Sequence, residues 1–123
     1  MTMPRFTSIA TALVALAGAA FLSSCPDAGP STGPELYRAW GCVNCHAENG
    51  SGVGGLGPTL NGKQSHWSSD TLTQYLRNPT GFAAKDARLK EQGRNFMSPM
   101  PPVLVQDEAA VARLVEHVST LLR

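Results

Sequence analysis

Cys42-Val43-Asn44-Cys45-His46 puts two thiols and an imidazole within five residues. Three chemistries use such a set. A structural zinc site needs four donors, usually as two pairs. Beyond these three only His66 and His117 remain, and they form no second pair at knuckle spacing. A thiol–disulfide centre carries Cys-x-x-Cys on a strand–helix unit, and the chain shows no period-two strand pattern. The third chemistry is covalent attachment of a c-type haem, for which Cys-x-x-Cys-His is the signal. Positions i, i+3 and i+4 share one face of a helical turn. Cys42 and Cys45 can then form thioethers with the two vinyl groups while His46 offers a ring nitrogen to the iron. Thioethers also prevent loss of the haem in a compartment with no pool to replace it.

The elements that must position these residues are few. Pro34 suits a first helical position, with Glu35 favourable beside it. Leu36, Trp40 and Val43 recur on one helical face, so the first helix is expected from about residue 34 into the 40s. Residues 47–63 hold Gly50, Gly52, Gly54, Gly55, Gly57 and Gly62, a density that leaves no regular element. Ser68 or Ser69 can cap a helix over 70–78, with Leu72, Tyr75 and Leu76 inward and Pro79 as its stop. A short helix is expected over 83–92, ended by Gly93. Residues 95–105 carry three prolines and read as loop. Asp107 can cap a last helix with Val111, Leu114, Val115, Val118, Leu121 and Leu122 along one side. The fold class is all-α, about four short helices with long loops. So little apolar helix makes a poor core, and a prosthetic group is needed to fill the centre.

Lys and Arg total 10 and Asp and Glu 9 in 123 residues. That balance carries neither a nucleic-acid footprint nor an acidic tail. Mean hydropathy is near zero, which excludes a polytopic membrane protein. Ile9 to Leu22 is apolar apart from Thr11 and Gly18, the length of a signal-peptide core and short of a spanning helix. Leu22-Ser23-Ser24-Cys25 follows and looks like a lipobox, cut before Cys25, whose thiol is then lipidated. Residues 1–24 are thus expected to be a signal peptide. Residues 25–33 are the lipidated Cys25 and a flexible tether, and 34–123 are one domain. Eight tether residues reach at most about 27 Å, so the domain stays near a bilayer. The expected location is exported and lipid-anchored to a membrane, facing the periplasm or the cell exterior.

From about Leu36 to Leu121 the chain resembles the class I monohaem cytochromes c of bacteria. The resemblance rests on Leu36-Tyr37 and Gly41-Cys42, then Gly57-Pro58-Thr59-Leu60, then Tyr75-Leu76-Arg77-Asn78-Pro79, then Met100-Pro101-Pro102, and Leu114-Val115 near the end. It implies one haem c attached through Cys42 and Cys45, with His46 as proximal ligand. It implies that the Pro58 carbonyl accepts from the other ring nitrogen of His46, fixing tautomer and ring angle. It also implies that the first and last helices cross, with Tyr37, Trp40 and Gly41 meeting Leu114, His117 and Val118. The sixth ligand is a choice between Met97 and Met100 in Phe96-Met97-Ser98-Pro99-Met100-Pro101-Pro102. Met100, flanked by prolines, matches the family's Met-Pro-Pro; Met97 would be a filler at the haem rim. His66 and His117 are weaker candidates. Trp67 and Gln64 lie where a donor can meet a haem propionate. Ala47 stands where the family usually has glycine, and His117 where it often has an aromatic ring.

The function so implied is one-electron transfer without catalysis, by a monomer that meets membrane redox complexes or soluble redox proteins and no nucleic acid. Alternatives are a haem subunit tethered to a larger oxidoreductase, and a haem-based sensor or peroxidase with an open sixth site. Lys85, Arg88, Lys90 and Arg94 against Asp86 and Glu91 give a local excess of two positive charges, either a docking patch or a solvated helix face.

Overall fold

A computed structural model describes residues 29–123; the expected signal peptide, Cys25 and the first tether residues lie outside the described residues. Six α-helices run in the order α1 (Gly33–Ala39), α2 (Val43–His46), α3 (Ser69–Arg77), α4 (Pro79–Ala83), α5 (Ala87–Gly93) and α6 (Glu108–Leu121). A 3-10 turn covers Gln64–His66. Among the described residues the only strand-like pairing is an isolated bridge between Val53 and Gly57. The all-α expectation holds, with six helices where about four were expected.

The extra helices come from breaks at identifiable residues. The expected first helix does not run through the Cys motif. Gly41 takes φ 76, Cys42 N–H turns back to the Tyr37 carbonyl at 3.0 Å, and α2 starts afresh. Likewise Pro79 ends α3 and also opens α4. Asn78 caps the end of α3 and accepts from the Gly81 N–H at 3.0 Å, and Pro79 needs no donor at a first-turn position. Residues 83–92 are therefore split between the end of α4 and all but the last residue of α5.

The other ends follow local chemistry. Glu35 Oε2 accepts from the N–H groups of Thr32 and Ser31, both at 3.0 Å, while Thr32 Oγ1 caps Glu35. These backbone bonds hold the Glu35 carboxyl down at about 2. Ser68 caps α3 through the Thr71 N–H at 3.1 Å. Asp107 caps α6 through Ala109 and Ala110 at 2.9 and 3.2 Å. Each cap satisfies donors that the first helical turn leaves unpaired.

The core lies where α1 and α3 pack on α6. Leu36 and Tyr37 from α1, Leu72 and Leu76 from α3, and Val111, Leu114, Val115 and Val118 from α6 form one buried cluster. Leu114 has no exposed surface, and burying such a side chain contributes about 1.5–3 kcal/mol. The α1–α6 crossing is as close as it is because of Gly33. A Cβ there would fall 2.5 Å from His117 Cβ and 2.6 Å from the Arg113 carbonyl. Gly33, expected to end the tether, is thus a buried residue of α1 packed at the crossing. Tyr75, expected inward, is only half-buried, because it faces the cavity described next.

Candidate functional site

One cavity of about 640 Å³ is lined by Cys42, Cys45, His46, Pro58, Tyr75 and Met100, among others. A pocket of about 60 Å³ shares Cys42, His46, Pro58, Tyr75 and Met100 and adds Trp67 and Arg88. Cys42, Cys45, His46, Pro58 and Met100 therefore meet in one cavity, although they span positions 42 to 100, while Trp67 lines only the smaller pocket.

Residues 42–58 form a closed loop around His46. Within α2, the N–H groups of Cys45 and His46 both donate to the Cys42 carbonyl, at 3.2 and 2.9 Å. Ala47 then takes φ 60 and ψ 167, which ends the helix and turns the chain back. The Gly52 N–H reaches the His46 carbonyl at 2.9 Å, and the Val53 N–H reaches the Cys45 carbonyl at 3.1 Å. Gly57 lies so close that a Cβ there would strike the Cys45 carbonyl and approach the Cys45 Cβ to 2.8 Å. That approach delivers the Pro58 carbonyl to His46 Nδ1 at 2.9 Å. A carbonyl only accepts, so Nδ1 carries the hydrogen and Nε2 keeps its lone pair for a metal. His46 is 8% exposed.

Residues 96–105 bring Met100, half-buried and packed against the core cluster. The Val103 N–H donates to the Leu76 carbonyl at 2.8 Å. Arg77 donates to the carbonyls of Val103, at 3.5 Å, and Val105, and pairs with Glu108 at 2.6 Å. Met97 N–H donates to the Gly55 carbonyl at 3.1 Å, but its side chain is 83% exposed. Of the two thioethers, Met100 lines the cavity and Met97 points to solvent. His66 and Gln64 are exposed. His117 lies edge-on to Tyr37 with ring centroids 5.3 Å apart; it packs, and burial pushes its imidazole below the ordinary value.

Trp67 sits in an aromatic group that sequence reasoning saw only in part. Its ring is 5.0 Å from Tyr75 and 5.9 Å from Phe82, and the Arg88 guanidinium lies 5.2 Å from its centroid. Phe82 had no sequence signal, because its role depends on where α4 packs. Of the basic group, Arg88 pairs with Asp86 at 3.4 Å and Arg94 with Glu91 at 2.6 Å. The local excess thus resides on the exposed Lys85 and Lys90.

The rival chemistries find less to work with. No three His, Cys, Asp or Glu side chains converge on a metal position among the described residues. Cys42 and Cys45 are unlinked, and burial pushes the Cys42 thiol up, the reverse of what an exchange-active thiolate needs. A haem fits this donor set. The cavity volume is in the range of cofactor sites, about 300–1,000 Å³. Leu89, Pro79 and Phe96 add apolar lining, and two thiols, one ring nitrogen and one thioether meet within it. No helix among the described residues is long and apolar enough to cross a membrane.

The family model for cytochrome c matches residues 30–122. No curated protein and no solved structure matches the chain.

Proposed function

The chain belongs to the cytochrome c family, which binds haem c and works by haem-based electron transfer, and from that premise we propose that it is a one-electron carrier. One observation carries the reading: Cys42, Cys45, His46 and Met100 line a single cavity. When bound, the haem supplies one iron that passes between ferric and ferrous forms, a couple that Met/His ligation moves to higher potential.

The chain's own residues do the rest. Cys42 and Cys45 hold the group through thioethers. His46, aimed by the Pro58 carbonyl, presents Nε2 as proximal ligand. Met100, at the cavity lining, would fill the sixth position and leave no place for a substrate. Trp67 and the apolar lining keep water from the centre, so that little solvent reorganises on electron transfer. Leu56 and Leu104, both exposed and both at the cavity lining, border the face through which an electron leaves. With Lys90 also at the cavity lining, this face suits brief encounters with membrane redox complexes or soluble redox proteins.

The same proposal includes export and anchoring. The apolar stretch 9–22 and the Leu22-Ser23-Ser24-Cys25 sequence support removal of residues 1–24 and lipidation of Cys25. A monomeric domain is then held at a membrane, facing the periplasm or the exterior. Two acyl signals or more are needed for stable anchoring. Cys25→Ser should release the domain into the soluble fraction, and a protein that stays with the membrane would refute the anchor.

The test of the carrier reading is voltammetry of protein matured with haem, combined with carbon monoxide addition to the reduced form. A reversible one-electron wave and no carbon monoxide adduct are expected. A rapid adduct would instead support a sensor or peroxidase with an open sixth site. Co-purification in a fixed ratio with a dehydrogenase or oxidase would support a tethered subunit.

A further inference from the structure

We propose that Tyr37 is a positioning residue for the haem-attachment segment, bracketing Cys42–Ala47 from both ends and holding the turn that brings Pro58 to His46. The inference rests on the reading of His46 as the iron ligand. Tyr37 belongs to α1, outside the motif, and is 1% exposed. Its backbone carbonyl accepts from the Cys42 N–H at 3.0 Å, at the start of the segment. Its hydroxyl donates to the Ala47 carbonyl at 3.0 Å, at the end of the segment. One buried residue thus fixes both limits of the six-residue segment that carries the chemistry.

The far limit needs holding. Ala47 is the only non-glycine residue with positive φ among the described residues. With φ 60 and ψ 167 it occupies a region used almost only by glycine, which persists only when its surroundings over-determine it. Relaxed to ordinary helical angles, Ala47 would extend α2 and carry residues 48–58 away. The bonds from Gly52 to His46 and from Val53 to Cys45 would break, and the Pro58 carbonyl would leave His46 Nδ1. The Ala47 carbonyl is held in place by the Tyr37 hydroxyl and by the Gly50 N–H at 3.3 Å. Burial above all, then Cys42 and Glu48, pushes the phenol up to about 12, so it remains a donor throughout the physiological range. The His117 ring, edge-on at 5.3 Å, and the close approach of α6 at Gly33 keep the Tyr37 ring from swinging out.

The experiment compares haem-loaded wild type, Tyr37→Phe, Ala47→Gly and the double variant. Three quantities are read: the ferric electron paramagnetic resonance g-values, hydrogen exchange at the Gly52 amide, and the denaturation midpoint. Tyr37→Phe should shift the g-values and speed Gly52 exchange about tenfold. Ala47→Gly should raise the midpoint, since glycine occupies the turn without strain. In the double variant the g-values and Gly52 exchange should return close to wild type, because a relaxed turn needs no clamp. The inference is overturned if Tyr37→Phe lowers the midpoint but leaves g-values and Gly52 exchange as in wild type, for then the hydroxyl only adds stability. It is also overturned if glycine at 47 fails to restore the double variant. Should Tyr37→Phe not fold, a lowered midpoint in Ala47→Gly alone would overturn it, since Ala47 would then be unstrained. Wild type that matures without attached haem would sink the carrier reading instead, and Gly52 exchange would still decide the role of Tyr37.

Discussion

Residues 42–58 and residues 96–105 each bring a ligand to the same cavity, and they are held in different ways. The first segment is closed on itself: Cys45, His46, Gly52 and Val53 are joined by backbone bonds, Pro58 holds the His46 ring, and Tyr37 holds Cys42 and Ala47. The second segment has no helix. It is fastened from outside, by the Leu76 carbonyl, the Arg77 guanidinium and the Gly55 carbonyl, while Met97 and Leu104 stand 83% and 76% exposed. The histidine is aimed by bonds within its own segment. The methionine is aimed by three remote tethers together with whatever fills the cavity. A carrier built this way has one fixed ligand and one that yields first under stress.

Breaking the closed segment should have the largest effect. Gly57→Val places a side chain against the Cys45 backbone. Overpacking at a site that cannot move costs about 3 kcal/mol, and the variant should mature with little covalent haem, read by mass spectrometry and urea denaturation. Releasing the second segment should cost less overall but act on the methionine alone. Arg77→Gln removes the charged donor to Val103 and Val105, a loss of about 1 kcal/mol after allowance for its partial exposure. Added imidazole should then displace Met100 several-fold more readily, with thioether attachment intact. Equal effects of both substitutions on haem attachment would erase the contrast between the segments.

Ala47→Gly tests the strain in the first segment from the stabilising side. Relief of about 1–3 kcal/mol, less the 0.5–1 kcal/mol entropic cost of glycine, should leave a gain of about 1 kcal/mol in chemical denaturation. The smallest effect concerns His117, which packs on Tyr37. Burial lowers its folded-state value below the ordinary 6.5. The unfolded chain therefore binds the proton more readily. The stability this burial preserves is full above 6.5 and falls as pH drops below it. Denaturation midpoints should fall between pH 7 and pH 5, and His117→Phe should flatten part of that slope; an unchanged slope would place the titration elsewhere.

What the sequence makes legible here is what short-range chemistry decides. Ser68 and Asp107 cap their helices as expected, because a capping side chain reaches only its own first turn. The stripe on α6 is buried, apart from Leu121, which is half-buried, since helical periodicity alone sets that face. The spacing of Cys42, Cys45 and His46 is likewise local. What stays hidden depends on distant partners. Nothing near Gly33 in sequence announces that His117 will pack against it. Ala47 reads as a helix former by type, and its place where the family usually has glycine is the one hint of the positive φ that the folded loop shows. Pro79 reads as a stop, and its second role as the opening of α4 depends on the Asn78 cap. Phe82 joins Trp67 only once α4 is in place. The Met-Pro-Pro match already favours Met100 over Met97, and the structure adds that Met100 lines the cavity while Met97 faces solvent.

The most direct test of the central claim is the optical spectrum of haem-matured protein, oxidised and reduced, with and without Met100→Ala. A low-spin ferric form with a weak long-wavelength sulfur-to-iron band that disappears in the variant is expected, while the haem remains covalently attached in both. A high-spin wild type, or a band that survives the substitution, would contradict it.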